Sequence, residues 1–502
     1  MAAIPGSVLA EEEKAPHTDE QRNSMTKQDE NKGINSVPEG PDISESLPRP
    51  RRYTLGRRIE YSEFKIHIIT WNIASAPISA HDVESLFLPQ ESHMLKNVYS
   101  ESDIIVVGLQ EAYQSLQDAV ASNVPLVGKD SHIETFSKLI CQKGFARLSA
   151  LRLLGILTMV FVKRPLLCYV DGVASCSTKT GLSGWFGNKG ASSVRFNLGD
   201  VSLCFTNCHL IPHNENNDRR IEELQEIFSK QGFEAHNCPS CSIMDHDLVV
   251  LFGDLNFRLD GKTFGEVVDV LEKHNQSSLV ELDQLRREQI KGEGSPSNLF
   301  CFMEMPLDFI PSYKYEPGTD NYDDGGKGRA PAWCDRILWY THERRLPKIT
   351  DPEPRSILIP EYYGIHMQPR ISDHKAVSAG MAVSVDISDF IPRVIFSLHE
   401  WVAGTKGMIQ FDVLAGTEIS FFDWIGLYPS DFASYERDYV FWIYTPASRG
   451  KAAKDRTYAR RLTPEQVPLD PGTYILIYIS NSTKSVLGMS PIFRLMAPHI
   501  GE

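Results

Sequence analysis

Apolar residues along the chain fall into short runs that stop abruptly on a polar side chain. In the plainest case Asp247-Leu248-Val249-Val250-Leu251-Phe252 leads into Gly253-Asp254, with Asn256 two residues further on. A run of this length predicts a buried strand ending in a glycine turn, and a strand end is where a sheet presents polar groups to a cleft. If the backbone stays extended, Asn256 points to the same side as Asp254. Lys65 to Asn72 alternates and stops at Asn72, and Asp103 to Glu111 is apolar until Glu111. Gly155 to Val162 is a further strand, and Val194 to Leu210 predicts a hairpin turning at Leu198-Gly199-Asp200 and closing on Asn207-Cys208-His209. Asp335 to Tyr340 carries its acid at the front, and Ser372-Asp373-His374 precedes a strand from Lys375 to Val385. Helical patterning follows Glu111; Ile221, Leu224, Ile227 and Phe228 share one face of a predicted helix over 219–231, and another helix covers about 263–274. Strands and helices interleave, yet several strand pairs are hairpins, which predicts an α/β domain with a mixed sheet rather than a doubly wound parallel one.

From about Pro392 the pattern changes to short aromatic strands: Val394 to Leu398, Met408 to Leu414, Phe421 to Tyr428, Tyr439 to Tyr444 and Tyr474 to Ile479. Gly, Pro and Asp fill the gaps, which predicts a separate all-β sandwich over 392–497, joined to a domain spanning 59–386 by a short linker that lets each part fold alone. Residues 1–58 are rich in Glu, Lys, Ser, Pro and Asn and poor in aromatics, the composition of a disordered tail. The tail ends in Arg49, Arg51, Arg52, Arg57 and Arg58, which fit a solvated linker, a contact to anionic lipid, or a kinase site at Thr54.

A net charge of −14 argues against nonspecific nucleic-acid binding. No apolar run reaches membrane-spanning length, and the start of the chain lacks the pattern of a signal peptide. Nine cysteines, an odd number, fit free thiols in a reducing cytosol better than a disulfide framework. Cys238 and Cys241 with His236 and His246 raise a zinc reading, but one CxxC without a second pair supports it poorly.

Seven motifs stand in one order: Thr70-Trp71-Asn72, Gly108-Leu109-Gln110-Glu111, Phe186-Gly187-Asn188-Lys189-Gly190, Asn207-Cys208-His209-Leu210, Gly253-Asp254-Leu255-Asn256-Phe257-Arg258, Pro331-Ala332-Trp333-Cys334-Asp335-Arg336 and Ser372-Asp373-His374-Lys375. Together they resemble the inositol polyphosphate 5-phosphatases, over about residues 61–385. Asp423-Trp424-Ile425-Gly426-Leu427-Tyr428 and Tyr478-Ile479-Ser480-Asn481-Ser482 resemble a SKICH domain, and the pair is similar to the skeletal-muscle-and-kidney-enriched type, without the proline-rich arms of its relative. The resemblance implies an endonuclease/exonuclease/phosphatase (DNase-like) mixed-sheet sandwich followed by a small all-β SKICH sandwich. It implies Mg²⁺-dependent hydrolysis of the 5-phosphate of phosphoinositides and of soluble inositol polyphosphates. It also implies a protein partner through the SKICH domain, and a cytoplasmic enzyme recruited peripherally to the plasma membrane or endoplasmic reticulum. Two other functions compete: an inactive phosphoinositide-binding scaffold, and a nuclease or sphingomyelinase of the same fold.

Hard oxygen ligands suit Mg²⁺, and the resemblance gives Glu111 that role with Asn72 beside it. It makes Asp254 the acceptor of a proton from water and Asn256 a group that orients water or phosphate. His209 and His374 are the candidates to donate to the scissile phosphate, Asp335 to hold the His374 tautomer, and Asp373 to support the metal or its waters. Asn188 and Lys189 match the family's contact to a 1-phosphate; Tyr313, Lys314, Lys327 and Arg329 match its contact to a 4-phosphate. Tyr322-Asp323-Asp324 departs from the family by an extra acid at Asp324, which weakens polyanion binding on this reading. Leu182, Trp185 and Phe186 match the stretch that faces the acyl chains, against the alternative of a core plug.

Overall fold

The structure is a computed structural model that describes residues 61–88, 97–113, 130–184, 186–235, 238–292, 298–326, 328–345, 357–388, 390–397, 400–445 and 456–497. The tail over 1–58 with its arginines and Thr54, His236, Trp185 and Lys327 lie outside the described residues, as do the side chains of Leu182, Phe186 and Cys238.

Strands β1 (Tyr61–Asn72), β2 (Ile104–Gln110), β3 (Phe145–Leu153), β4 (Ile156–Lys163), β5 (Val170–Thr180), β6 (Phe186–Leu198) and β7 (Val201–His209) come first. A small hairpin, β8 (Gly232–Ala235) and β9 (Cys238–Ser242), precedes β10 (Leu248–Asp254), β11 (Asp335–Thr341), β12 (Leu358–His366) and β13 (Ala376–Asp386). They build two main sheets, in the orders β12-β13-β1-β2-β4-β3 and β11-β10-β7-β6-β5. Most pairs are antiparallel; β1/β2 and β7/β10 are parallel. The mixed character predicted from the hairpins is therefore distributed over two sheets.

The strands are continuous apolar runs because both faces are covered. In β10, Leu248, Val250 and Phe252 face the core between the sheets, where they share a cluster with Ile66, Ile68, Val106 and Val160. Val249 and Leu251 face the other way, against Ile221, Leu224 and Ile227 of the helix Asn217–Lys230. On the first sheet, Ile69, Trp71, Ile105 and Val107 pack against Phe136 and Ile140 of the helix Ser131–Cys141. The result is a four-layer sandwich, helix–sheet–sheet–helix. The predicted helix over 263–274 is present as Phe264–Glu272, started by a capping box of Thr263 and Glu266.

The C-terminal strands are β14 (Val394–Ser397), β15 (Trp401–Val402), β16 (Gly407–Val413), β17 (Trp424–Pro429), β18 (Phe441–Tyr444), β19 (Arg456–Leu462), β20 (Gly472–Ile479), β21 (Val486–Met489) and β22 (Phe493–Met496). They form a three-stranded sheet, β14-β16-β19, facing a larger one in the order β15-β22-β20-β17-β18, with β21 also on β20. The core between them holds Ile409, Phe411, Ile425, Leu427, Leu476 and Tyr478.

This β-sandwich is not an independent bead. Ile475, Ile477 and Ile479 on the outer face of β20, with Tyr428, Phe432, Tyr435 and Val486, belong to the same apolar cluster as Ala146, Leu148, Leu167 and Val170 of the first domain. Arg164 stacks on the Phe432 ring at 5.1 Å and donates to the Phe432 carbonyl from Nε and Nη2 at 3.0 and 2.8 Å. The Arg147 amide donates to the Ala433 carbonyl at 2.7 Å. Phe390 in the linker stacks on Tyr169 at 4.2 Å. The expectation of separable folding does not anticipate this shared core. A short, polar-looking linker says nothing about the apolar face that β20 turns outward.

A chain cut after Asp386 is expected to expose that face of the first domain. Its melting temperature should fall by more than about 4 °C relative to the full chain, a shift of a few kcal/mol for a domain this large. Equal melting temperatures by calorimetry contradict a shared core.

Candidate active site

The site is assembled by strand register. Asp254 pairs with His209 across the parallel β10/β7 ladder and with Asp335 across the antiparallel β10/β11 ladder. Three strand ends thus set His209, Asp254 and Asp335 side by side. Asn72 and Gln110 end the paired strands β1 and β2 on the facing sheet, and Glu111 follows. The residue before Asp254 must be glycine: Gly253 has φ +132°, and a Cβ there lies 2.0 Å from the Cys208 carbonyl oxygen. Gly108 is needed for a different reason, since a Cβ there lies 2.4 Å from the Phe252 ring. Both glycines let the strands approach closely at the base of the site.

Asn72 Nδ2 lies 3.0 Å from Asp254 Oδ2 and 3.5 Å from Glu111 Oε1, while its Oδ1 accepts from the Ala74 amide at 3.0 Å. His209 Nε2 lies 3.3 Å from Asp254 Oδ2 and also meets the Lys189 ammonium. His374 Nδ1 is 2.8 Å from Asp335 Oδ2, which also accepts from Ser312 Oγ at 2.7 Å. That bond leaves His374 Nε2 as the ring atom available to the cleft. Ser372 Oγ donates to the Asn72 carbonyl at 2.7 Å and accepts from the His374 amide, and the Trp71 indole donates to the His374 carbonyl. Beneath the site Gln110 donates to Asn207 Oδ1 at 2.7 Å, joining the two sheets by a buried polar bridge.

The two histidines are driven apart electrically. Burial pushes the His374 imidazolium down, but the charge and hydrogen bond of Asp335, with Asp254 and Asp373, outweigh it and carry the ring up to about 9. Burial and then the Lys189 charge hold His209 below its ordinary value, so it is neutral at pH 7. Burial acts to raise the Asp254 carboxyl, but the His209 hydrogen bond and the surrounding cations hold it well below the usual carboxylate range. The site therefore offers an ionised carboxylate, a cationic imidazole and a neutral imidazole within one pocket, the separation of roles that acid–base chemistry needs.

Several predicted residues stand differently from expectation. Asn256 does not continue an extended strand: its φ is +57°, its Nδ2 donates to the Leu210 carbonyl at 2.9 Å and its Oδ1 accepts from Arg258 at 2.5 Å. Its side chain holds the loop together instead of facing the cleft, and its amide N–H donates to Asp254 Oδ1 at 3.1 Å. Glu111 also has positive φ, +51°, which turns its half-exposed carboxylate at the strand end. Non-glycine residues in this region store strain of order 1 kcal/mol. Lys189 lies against His209, while Asn188 Oδ1 is buried with no partner among the described residues. Lys314 is ion-paired with Asp323, and Asp324 is exposed. Arg329 Nη1 donates to the Tyr313 hydroxyl at 2.6 Å. Asp373 is half-buried and bears on His374 through its charge.

Arg258 and Ser312 escaped the sequence reading as site residues. Arg258 closes the motif Gly253-Asp254-Leu255-Asn256-Phe257-Arg258, which is the signal for it; Ser312 lies outside all seven motifs. The zinc reading fails on His246, whose Nε2 accepts from Arg195 at 3.0 Å and whose ring is held down near 4 by burial and Arg195. Cys241 is disulfide-bonded, against the expectation of free thiols throughout, while Cys141, Cys168, Cys176, Cys204, Cys208 and Cys334 are free.

The model of the endonuclease/exonuclease/phosphatase family 2 matches residues 69–380, and that of the SKICH domain matches 394–495. Inositol polyphosphate 5-phosphatase K of Mus musculus is 30% identical over 441 residues, 86% of this chain and 89% of the relative. The chain belongs to the inositol polyphosphate 5-phosphatase family. The phosphatidylinositol 4,5-bisphosphate 5-phosphatase A of Homo sapiens is 31% identical over 439 residues, 87% of this chain but 42% of the relative. The chain thus spans about two fifths of the length of that relative and of its Mus musculus and Rattus norvegicus counterparts. A synaptojanin 5-phosphatase domain, solved with inositol (1,4)-bisphosphate and a calcium ion, superposes with a TM-score of 0.53 at 31% identity, over 65% of this chain and 86% of that one. The fold is accordingly the DNase-like sandwich followed by a SKICH domain.

Members of this fold family depend on a divalent ion, and the donors here fit one. The half-exposed Glu111 carboxylate and the buried Asp254 carboxylate both meet Asn72 Nδ2, at 3.5 and 3.0 Å, and both are hard oxygen donors. Asn72 fits less directly, because its oxygen is taken by Ala74 and its nitrogen faces the carboxylates. As placed it steadies Glu111 and Asp254.

Replacing Asp335 by Asn should release His374. In metal-free protein the His374 ring should titrate near 9 by NMR, and in D335N it should fall by at least one unit, since the loss of a partner anion lowers an imidazole. An unchanged titration removes Asp335 as the cause.

Proposed function

We propose that this chain hydrolyses the 5-phosphate of phosphoinositides, phosphatidylinositol 4,5-bisphosphate and 3,4,5-trisphosphate, with soluble inositol polyphosphates as a second substrate class. The observation that carries the reading is the strand-end cluster: the ionised Asp254 between neutral His209 and the Asp335–His374 pair, with Lys189, Lys314 and Arg329 around it. Cationic His374 would donate to a phosphate oxygen from Nε2, and Asp254 would accept the proton of the attacking water. Lys314 and Arg329 would receive a 4-phosphate, for which Lys314 must exchange its Asp323 partner. When bound at Glu111, Mg²⁺ supplies charge neutralisation of the phosphate. The Lys314 and Arg329 pair favours a polyphosphate headgroup over a nucleic-acid or sphingomyelin substrate, and the presence of every expected polar residue in the sequence counts against an inactive scaffold.

Among the described residues no helix is long and apolar enough to cross a membrane. We take the enzyme to be cytoplasmic and recruited peripherally, to the plasma membrane or endoplasmic reticulum, by a protein that the SKICH domain binds. Phe421, Phe422, Trp442 and Tyr444 support this, being large rings exposed beside the edge strand β18. The domain boundaries that go with the reading are 59–386 for catalysis and 392–497 for SKICH.

Phosphate release should be scored on a panel of lipid and soluble headgroups, with and without chelator. The wild type is expected to release phosphate from 5-phosphorylated substrates, to stop in EDTA and to recover with Mg²⁺. D254N should lose at least about 100-fold in kcat, the low end of a general-base contribution. Full activity after exhaustive chelation, or turnover by D254N within tenfold of the wild type, would contradict the assignment.

A further inference from the structure

Arg258 links two parts of the site that the sequence keeps far apart. Its Nε and Nη2 donate to the Asn256 carbonyl at 3.1 Å and to Asn256 Oδ1 at 2.5 Å. Its guanidinium plane lies over the Tyr313 ring at 4.6 Å. Asn256, held this way at positive φ, donates its amide to Asp254 Oδ1 and ties its side chain to the Leu210 carbonyl, next to His209. Tyr313 takes a hydrogen bond on its hydroxyl from Arg329, and its ring lies 4.4 Å from that of His374. A continuous line of contacts therefore runs from Arg329 through Tyr313, Arg258 and Asn256 to Asp254. The side chain at its centre is buried, and two of its donors, on Nε and Nη2, are held by Asn256.

We propose that Arg258 is a positioning residue through which occupancy of the 4-phosphate site sets the geometry of Asp254, so that the 4-phosphate raises the rate of the chemical step and not affinity alone. The proposal rests on the reading of Lys314 and Arg329 as the 4-phosphate site. A phosphate on Arg329 fixes the guanidinium that holds the Tyr313 hydroxyl. Tyr313 is in turn the lid on Arg258, and a planar fork with two of its donors on Asn256 transmits a tilt to the residue that donates to Asp254. Binding energy from a group remote from the reaction is then used at the reacting centre. A displacement of 1 Å at such a centre costs about 100-fold in rate. A plain structural role, in which Arg258 merely fills the loop, predicts the same loss on every substrate.

The test is the kcat and KM of the full chain on two soluble headgroups, inositol 1,4,5-trisphosphate and inositol 1,5-bisphosphate, which differ only in the 4-phosphate. The wild type should show a kcat at least tenfold higher on the first. R258A should lose about 100-fold in kcat on inositol 1,4,5-trisphosphate and at least tenfold less than that on inositol 1,5-bisphosphate, with KM moving under threefold. Methylguanidinium added to R258A should restore part of the lost kcat on the first headgroup. R258K, a cation without the fork, should recover less than the rescued variant, and it carries the comparison if R258A fails to fold by circular dichroism. Equal losses on both headgroups, a change in KM alone, or a wild type that turns both over at one kcat overturns the coupling while leaving the phosphatase reading intact. A wild type that releases phosphate from neither headgroup overturns both.

Discussion

Everything in the site depends on the packing of three strand ends. Asp254 can meet both His209 and Asp335 only because β10 lies between β7 and β11 in one fixed register, and register is fixed because both faces of β10 are buried. A slip of one residue would send Val250 and Phe252 to the helix side and Val249 and Leu251 into the space between the sheets. The chemistry is thus secured by the same apolar alternation that secures the fold. Close approach has its own cost, met by Gly253 and Gly108, where any side chain would collide with a neighbouring backbone or ring.

Much of this was legible in the sequence, for a physical reason. Strands that are buried on both sides must be apolar runs, so their polar ends stand out: Asn72, Glu111, His209, Asp254 and Asp335 all border such runs. The strands that escaped notice lack that contrast. Phe145–Leu153 is half-exposed over much of its length, Val170–Thr180 is built from small and hydroxylated residues, and Leu358–His366 carries Pro360 at an irregular register. What could not be read was conformation. The positive φ of Glu111 and Asn256 belongs to residues whose types do not demand it, and the extended path assumed for Asn256 placed its side chain in the cleft when it lies in the loop. Arg258 is informative only through its neighbours, one of which, Tyr313, comes from a segment 55 residues away.

The contact between the two domains lies at the opposite end of the first domain's β4 from the site. The site lies where β1 and β2 end and β4 begins, while the SKICH domain docks where β3 begins and β4 ends, through Arg147 and Arg164. The eight residues of β4 separate the two by about 23 Å at roughly 3.3 Å per residue. The packing between the two domains is therefore remote from the cleft. Ile475, Ile477 and Ile479 of the SKICH domain share one apolar cluster with the first domain.

The central claim is that the strand-end cluster holds the 5-phosphate. It is tested most directly by crystallising D254N with inositol 1,4,5-trisphosphate and locating the phosphates. The account predicts the 5-phosphate within hydrogen-bond reach of His209 and His374 Nε2, and the 4-phosphate on Lys314 and Arg329. A headgroup bound with its 5-phosphate on Lys314 and Arg329, or bound outside the cleft between Glu111 and His374, would contradict it.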